Sequence, residues 1–255
     1  MKIATWNVNS VTARLPLVLK WLESEKPDAL CMQETKCIDD KFPREAFSEI
    51  GYRCETFGQP TYNGVAIVSR PECSTVVRGF PDDGPDAQAR MLAATIEGVR
   101  VINVYVPNGA EVGADKYYFK LDWMKKLRSF LDDYAERNQP VLLCGDFNVA
   151  PEDRDVHDPQ MWKGQILVSE PERAALDEIK AWGLIDAFRL HNDGDKHYSW
   201  WDYRAGAFRR NVGLRIDHVW VSPPLAERCR AAWIDKEPRR WERPSDHTPV
   251  IAEFD

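Results

Sequence analysis

The sequence predicts a four-layer α/β/β/α sandwich, an α/β fold of two packed mixed sheets with outer helices. Strand-like and helix-like segments alternate along the chain. The alternation falls into two similar halves, each opening with a strand that ends in an asparagine motif, "TWNVN" at 5–9 and "GDFNV" at 145–149. Most strand-like runs are short, β-rich and separated by Gly, Pro, Asn and Asp.

Residues 2–8, "KIATWNV", open the chain as a strand. Leu15, Val18, Leu19 and Leu22 then recur at helical spacing, which predicts a helix over 14–26 that stops at Lys26-Pro27. "DALCMQE" at 28–34 is a short buried strand, and "FPREAFSEI" at 42–50 a brief helix with Pro43 in its first turn. The runs "YRCETF", "GVAIVS", "STVVRGF", "MLAATIEG" and "RVINVYVP" between 52 and 107 are strands. A long helix follows from about 115 to 137, and "PVLLCGDFN" at 140–148 is a strand with a polar end. After a loop rich in Asp and Pro, "PERAALDEIKAWG" at 171–183 is a helix stopped by Gly183. "LIDAF", "HYSWW", "RIDHVWVS" and "TPVIAEF" complete the sheets.

A chain of 255 residues with no linker-like stretch is read as one domain, 1–255. Hydrophobic residues at 44% and aromatics at 11% can fill a large core, and ten Trp are enough for some to face a ligand. The net charge of −7 argues against indiscriminate polyanion binding. It leaves room for a local basic stretch: between Tyr203 and Ile216 the charged residues are Arg204, Arg209, Arg210 and Arg215, with no acid. The six cysteines show no CxxC spacing and read as reduced thiols, and no window approaches the roughly 20 apolar residues of a membrane span. A soluble cytoplasmic protein with no membrane partner is expected.

Polar residues stand repeatedly where apolar strands stop. Asn7 and Asn9 follow "IATW", Glu34 follows "ALCMQ", Tyr105 and Asn108 follow "VIN", and Asp146 and Asn148 follow "VLLCG". Asp217 interrupts "RIDHVWV", and Asp246-His247 precede "TPVIAEF". Strand ends on one edge of an α/β sheet share a crevice, so these groups can converge. Several carboxylates beside amides, a phenol and an imidazole are costly to bury unless a cation or phosphate sits among them. Glu34 with oxygens from Asn7, Asn9 or Asp246 suits Mg²⁺, whereas no closed zinc set has ligand spacing. Such a crevice fits hydrolysis of phosphate esters. Asp146 would orient or deprotonate the attacking water, and His247, held by Asp217, would face the phosphate.

The motifs "TWNVNS", "MQETK", "NGVAIVS", "NVYVPNG", "GDFNVAP", "YSWWDYR", "GLRIDHVWVS" and "PSDHTPV" occur in the order seen in the bacterial exonuclease III family, and the resemblance runs from Lys2 to Phe254. It implies a deoxyribonuclease I-like fold and a Mg²⁺-dependent repair nuclease, with Mn²⁺ able to substitute. Such an enzyme cuts the backbone 5′ to abasic sites and carries 3′→5′ exonuclease and 3′-end-cleaning activity. Its substrate would be double-stranded DNA with abasic sites or blocked 3′ ends, met by a monomer that joins the nucleoid when bound. The resemblance makes Glu34 the principal metal ligand with Asn7 beside it and Asp246 nearby, and places Asn148 and Tyr105 at the phosphate. It further implies that Trp200, Trp201 and Leu214 wall a pocket for an extruded baseless sugar, with Arg204 and Asn108 on the DNA side. Lys116 and Lys120 could touch phosphates or simply cover a solvated helix face. Other phosphodiesterase or phosphatase substrates, or a non-catalytic DNA-binding role, are the competing readings.

Overall fold

The order of elements follows from local signals that the backbone honours one after another, and the computed structural model describes residues 1–255. The chain runs β1 (Lys2–Asn7), α1 (Val11–Glu25), β2 (Ala29–Gln33), α2 (Arg44–Glu49), β3 (Arg53–Phe57), β4 (Val65–Ser69), β5 (Cys73–Arg78), β6 (Met91–Ile96), β7 (Val99–Tyr105) and α3 (Asp115–Tyr134). It continues with β8 (Val141–Asp146), α4 (Pro159–Trp162), α5 (Glu170–Lys180), β9 (Ile185–Asp186), α6 (Ala187–His191), β10 (Asp217–Val221), α7 (Pro223–Ala226), β11 (Cys229–Ile234) and β12 (Val250–Phe254). Helix α1 starts where the Ser10 side chain accepts the N–H of Ala13, and it stops where Lys26 turns left-handed ahead of Pro27. Ser169 and Glu172 form a reciprocal capping box at the start of α5.

Two six-stranded mixed sheets result, in the orders β11-β12-β1-β2-β4-β3 and β5-β6-β7-β8-β10-β9. Successive side chains on a strand face opposite layers. In β1, Ile3 enters the core between the sheets, while Ala4 and Trp6 pack with Val18, Trp21 and Leu22 of α1. In β8, Leu142 and Cys144 face the other sheet, while Leu143 packs with Met124 and Leu127 of α3 and Leu176 and Ile179 of α5. Both faces of the central strands are therefore covered, which is why they read as unbroken apolar runs. The four-layer α/β/β/α sandwich is the architecture observed. One polar link crosses its centre: Gln33 Nε2 donates to Asn103 Oδ1 at 2.7 Å, and Asn103 Nδ2 donates to the backbone oxygens of Met32 and Ala66.

The two sheets are topological copies, strand for strand. β1 and β2 are parallel neighbours joined through α1, and β7 and β8 are parallel neighbours joined through α3. The "GDFN" strand thus matches β2 and does not open the second half, which begins with the antiparallel strands β5 and β6. Four further differences from the sequence reading stand out. "LIDAF" is strand only at Ile185–Asp186, because the Asp186 carboxylate accepts the N–H groups of Phe188 and Arg189 and starts α6. "HYSWW" contributes only isolated bridges, Trp200 to Leu214 and Trp200 to His247. The second-sheet helix α3 ends at Tyr134, three residues early, and β11, with its alanine-rich "CRAAWI", forms an edge strand that was not anticipated.

Candidate active site

The paired parallel strands bring their ends to one edge. In register, Asn7 lies opposite Gln33 and Tyr105 opposite Asp146, while Asp217 at the start of β10 lies opposite Asp146 from the other side. The segment before β12 is held against this edge by Ser245 Oγ, which donates to Asn7 O at 2.7 Å, and by Trp6 Nε1, which donates to His247 O at 3.2 Å. The backbone is strained just where the polar groups emerge: Asn9, Glu34 and Asn148 have φ of 46°, 50° and 50°. Non-glycine residues keep such angles only where the surroundings enforce them, and they cluster at functional sites. Gly145 is obligatory for a different reason, since a Cβ there would sit 1.9 Å from Val104 O on β7.

Eight of the nine residues expected in the catalytic and metal sets are joined by hydrogen bonds or ion pairs. Asn7 Nδ2 donates to Glu34 Oε1 at 2.8 Å and to Asp146 Oδ2 at 2.9 Å. His247 Nδ1 lies 2.9 and 3.1 Å from the two oxygens of Asp217, and its Nε2 lies 3.7 Å from Asp146 Oδ2. Asn148 N donates to the other Asp146 oxygen at 2.9 Å, and Asn108 Nδ2 donates to Asn148 Oδ1 at 3.1 Å. Asn9 Nδ2 donates to Asp246 Oδ1 at 3.0 Å, and Asp246 Oδ2 accepts from Trp200 Nε1 at 3.1 Å. Tyr105 joins the set through space. The Arg90 guanidinium lies 4.6 Å from its ring centroid and donates to its backbone oxygen. Arg215, two residues before Asp217, pairs with Asp155 and Asp186 and leaves the Asp217 carboxylate to His247.

The electrostatics divide the roles. Burial raises the Tyr105 phenol well above its ordinary value, with Glu34 and Asp146 adding to the effect, so it is a protonated donor. Burial also raises Asp146, against the opposing pull of His247. Burial alone would lower His247, but the Asp217 and Asp146 carboxylates raise it to about 10. It is an imidazolium across neutral pH, with both ring nitrogens donating. Because its folded value lies above the unfolded 6.5, the stability it contributes is complete below pH 6.5 and is lost as pH rises through about 10. An imidazole ¹⁵N titration is expected to show His247 still protonated at about pH 8, with Asp217→Asn moving the midpoint toward the ordinary ~6.5. A wild-type midpoint near that ordinary value would remove the ion pair.

Ligand atoms of Glu34, Asp146 and His247 lie within 4.8 Å of one another. With the imidazolium unable to ligate, the Glu34 and Asp146 carboxylates remain as hard oxygen donors that suit a divalent cation, and Asp246 is linked to them only through Asn9 and Asn7. Glu34 already attracts a cation: Lys36 Nζ lies 3.0 Å from its Oε2 and donates to Asn9 Oδ1 at 2.6 Å. Asn7 Oδ1 accepts the Asn9 N–H, and its Nδ2 donates to both carboxylates.

The expected sugar pocket is only partly present. Trp200 is half-buried beside Asp246, but Trp201 and Leu214 have no exposed surface. Trp201 packs edge-on against Phe208 and Tyr198, and Gly213 presses so closely on it that a Cβ would fall 2.5 Å from Nε1. Leu214 packs with Ala150, Val156, Leu167 and Ile216. Both are core residues, so the predicted apolar wall reduces to Trp200. Arg204 is exposed and paired with Asp202, Arg209 and Arg210 are exposed, and Asn108 is exposed at the crevice rim. Lys116 is exposed beside Asn108 and Tyr105, whereas Lys120 is wholly buried, which corrects its reading as a solvated or phosphate-touching side chain.

Sequence reasoning missed Lys36, Arg90 and Ser199. Ser199 is fully buried, donates Oγ to Asp217 Oδ2 at 2.6 Å and accepts the Asp217 and Ile216 N–H groups. Its only sequence signal is a hydroxyl inside the aromatic "YSWW". Lys36 could have been found as the one cation following Glu34 in "MQETK".

The sequence matches the Endonuclease/Exonuclease/phosphatase family over residues 4–247. The exodeoxyribonuclease III of Haemophilus influenzae is 36% identical over 266 residues, with 100% of both chains covered. A structure of an AP endonuclease from Archaeoglobus fulgidus superposes with a TM-score of 0.97 at 42% identity, covering 100% of this chain and 99% of that one. The 3′ phosphatase NExo from Neisseria, solved bound to a product DNA hairpin, gives a TM-score of 0.97 at 45% identity, again covering 100% of this chain and 99% of that one.

Proposed function

Because the chain belongs to the endonuclease/exonuclease/phosphatase family, in its exodeoxyribonuclease III branch, and is a hydrolytic nuclease, we propose that it is a Mg²⁺-dependent DNA repair enzyme. It cuts the strand 5′ to abasic sites and trims or dephosphorylates 3′ ends. One observation carries the reading: the line Asp217–His247, with His247 Nε2 3.7 Å from Asp146, which Asn7 in turn bridges to Glu34. Residues 1–255 act as one catalytic unit, a monomer working on duplex DNA in the cytoplasm. No helix is long and apolar enough to cross a membrane.

The reaction needs a proton taken from water and charge stabilised on phosphate. Asp146, raised by burial, accepts the proton as the water oxygen bonds to phosphorus and the ester bond to the leaving oxygen breaks. The His247 imidazolium and the Tyr105 phenol donate to phosphate oxygens where negative charge grows. The Asn108–Asn148 pair lines the same side. Glu34 would hold Mg²⁺, with Asp246 and Asn9 beside it, or Mn²⁺ in its place. The ion's part is to polarise the phosphate and offset its charge. Trp200 and the arginines at 204, 209 and 210 would meet the DNA.

A second reading limits the enzyme to 3′ ends. It is favoured by the absence of any exposed surface on Trp201 and Leu214, which leaves no open apolar pocket for an extruded sugar. The two are separated by three duplexes, carrying an internal abasic analogue, a nick with a 3′-phosphate, or a plain recessed 3′ end, each with Mg²⁺ or EDTA. The first reading expects Mg²⁺-dependent turnover of all three. Release of phosphate without abasic incision favours the second, and inertness toward every duplex removes both.

A further inference from the structure

Lys120 lies wholly buried in α3, a rare place for an ammonium, and no step above uses it. Its Nζ donates to Asn148 O at 2.7 Å and to Asn108 O at 3.2 Å, and it pairs with Glu172. Glu172 accepts in turn from the N–H groups of Leu167 and Ser169 and from Ser169 Oγ. The Lys120 stem also fills the space over Gly109, where a Cβ would sit 3.2 Å from Cδ. One ammonium thus ties the exit of β7, the exit of β8 and the start of α5.

If this ion pair only joined α3 to α5, an apolar pair of similar volume could replace it, often without loss of stability. An apolar pair cannot satisfy two backbone oxygens at the strand exits. Those oxygens belong to the residues whose side chains are bonded to each other, Asn108 Nδ2 to Asn148 Oδ1. Asn148 is also the left-handed residue whose N–H fixes Asp146 Oδ1. A shift of its backbone would move the amide pair and Asp146 together.

We propose that Lys120 is a positioning residue for hydrolysis: held by Glu172, it fixes the exits of β7 and β8 so that Asn108, Asn148 and Asp146 meet the scissile phosphate in one geometry. This rests on the reading that the β8 exit faces that phosphate. Misplacement by about an ångström costs on the order of 10²-fold in rate without removing any reacting group.

The test compares wild type, Lys120→Met and Lys120→Met/Glu172→Gln in single-turnover release of phosphate from a 3′-phosphate nick, alongside duplex affinity and thermal melting. The double variant leaves no lone buried charge and keeps an acceptor for the α5 cap, so its melting should rise above that of Lys120→Met, while the two strand-exit oxygens stay unpaired. The expected result is a rate loss of ~10²-fold in both variants, with duplex affinity changed by less than about threefold. The loss should persist in the double variant although part of its stability returns. A double variant that melts above Lys120→Met and cleaves within about threefold of wild type would show that the pair merely holds the fold. A loss confined to duplex affinity would also overturn the proposal. If wild type itself releases no phosphate and cuts no duplex, the nuclease reading fails first, and this proposal with it.

Discussion

Glu34→Ala is expected to abolish cleavage of every duplex while leaving the fold in place, and EDTA should do the same to wild type. The carboxylate stands just past the end of β2, hydrogen-bonded to Asn7 Nδ2 and paired with Lys36 Nζ. Asn7 keeps its bond to Asp146 when Glu34 is gone. The pair with Lys36 is partly exposed, with side-chain exposures of 19% and 28%, so its loss should cost no more than ~1 kcal/mol of stability. The effect on rate should be far larger. A divalent ion supplies several kcal/mol of charge stabilisation at a phosphoryl oxygen, and 1.4 kcal/mol is about tenfold, so a fall of at least ~10³-fold is expected. Mn²⁺ binding followed by electron paramagnetic resonance, beside single-turnover cleavage and melting, makes the check. A variant that still binds Mn²⁺ tightly and cuts at near wild-type speed would move the metal away from Glu34.

The polar edge was legible because each of its residues interrupts or ends an apolar run in or beside a central strand buried on both faces. What the sequence hid was packing supplied from elsewhere. Trp200 and Trp201 are adjacent and chemically identical, yet Gly213 and Phe208 enclose one while Asp246 engages the other. Composition alone suggested that some Trp would face a ligand and could not say which. Lys120 was misread for a reason the sequence did contain. Tyr117, Lys120, Met124, Leu127 and Leu131 recur at helical spacing and are all buried, so Lys120 sits on the core stripe of α3 and needs an anionic partner. That partner, Glu172, looked like one more acid in the first turn of a surface helix. Arg215 and Asp217 are likewise near neighbours in "GLRID", a spacing that invites reading them as a pair. Arg215 lies before β10 and reaches Asp155 and Asp186, while Asp217, the first residue of the strand, reaches His247 and Ser199.

His247→Ala and Asp217→Asn should each slow single-turnover cleavage by at least ~10²-fold, and the double variant should be little slower than His247→Ala alone. Asp217 has no exposed surface and its Oδ2 is pinned by Ser199 Oγ at 2.6 Å, so it cannot reach the substrate. Its effect passes through His247 Nδ1, where it fixes the ring's orientation and holds its proton to about pH 10. With asparagine in its place the ring keeps a neighbour of the same shape but loses that charge, and at neutral pH it becomes largely neutral imidazole, a poorer donor to a phosphate gaining charge. With His247 gone, the one hydrogen-bond partner left to the Asp217 carboxylate is Ser199 Oγ, which does not meet the reacting atoms. Residues that act in series lose their joint function once, so the two losses should not multiply. Double-variant kinetics, with duplex affinity measured to confirm that binding is intact, decide the matter. If the double variant loses the product of the single losses, ~10⁴-fold or more, Asp217 acts independently of the imidazole, and the line from Asp217 through His247 to the phosphate is not the route of stabilisation.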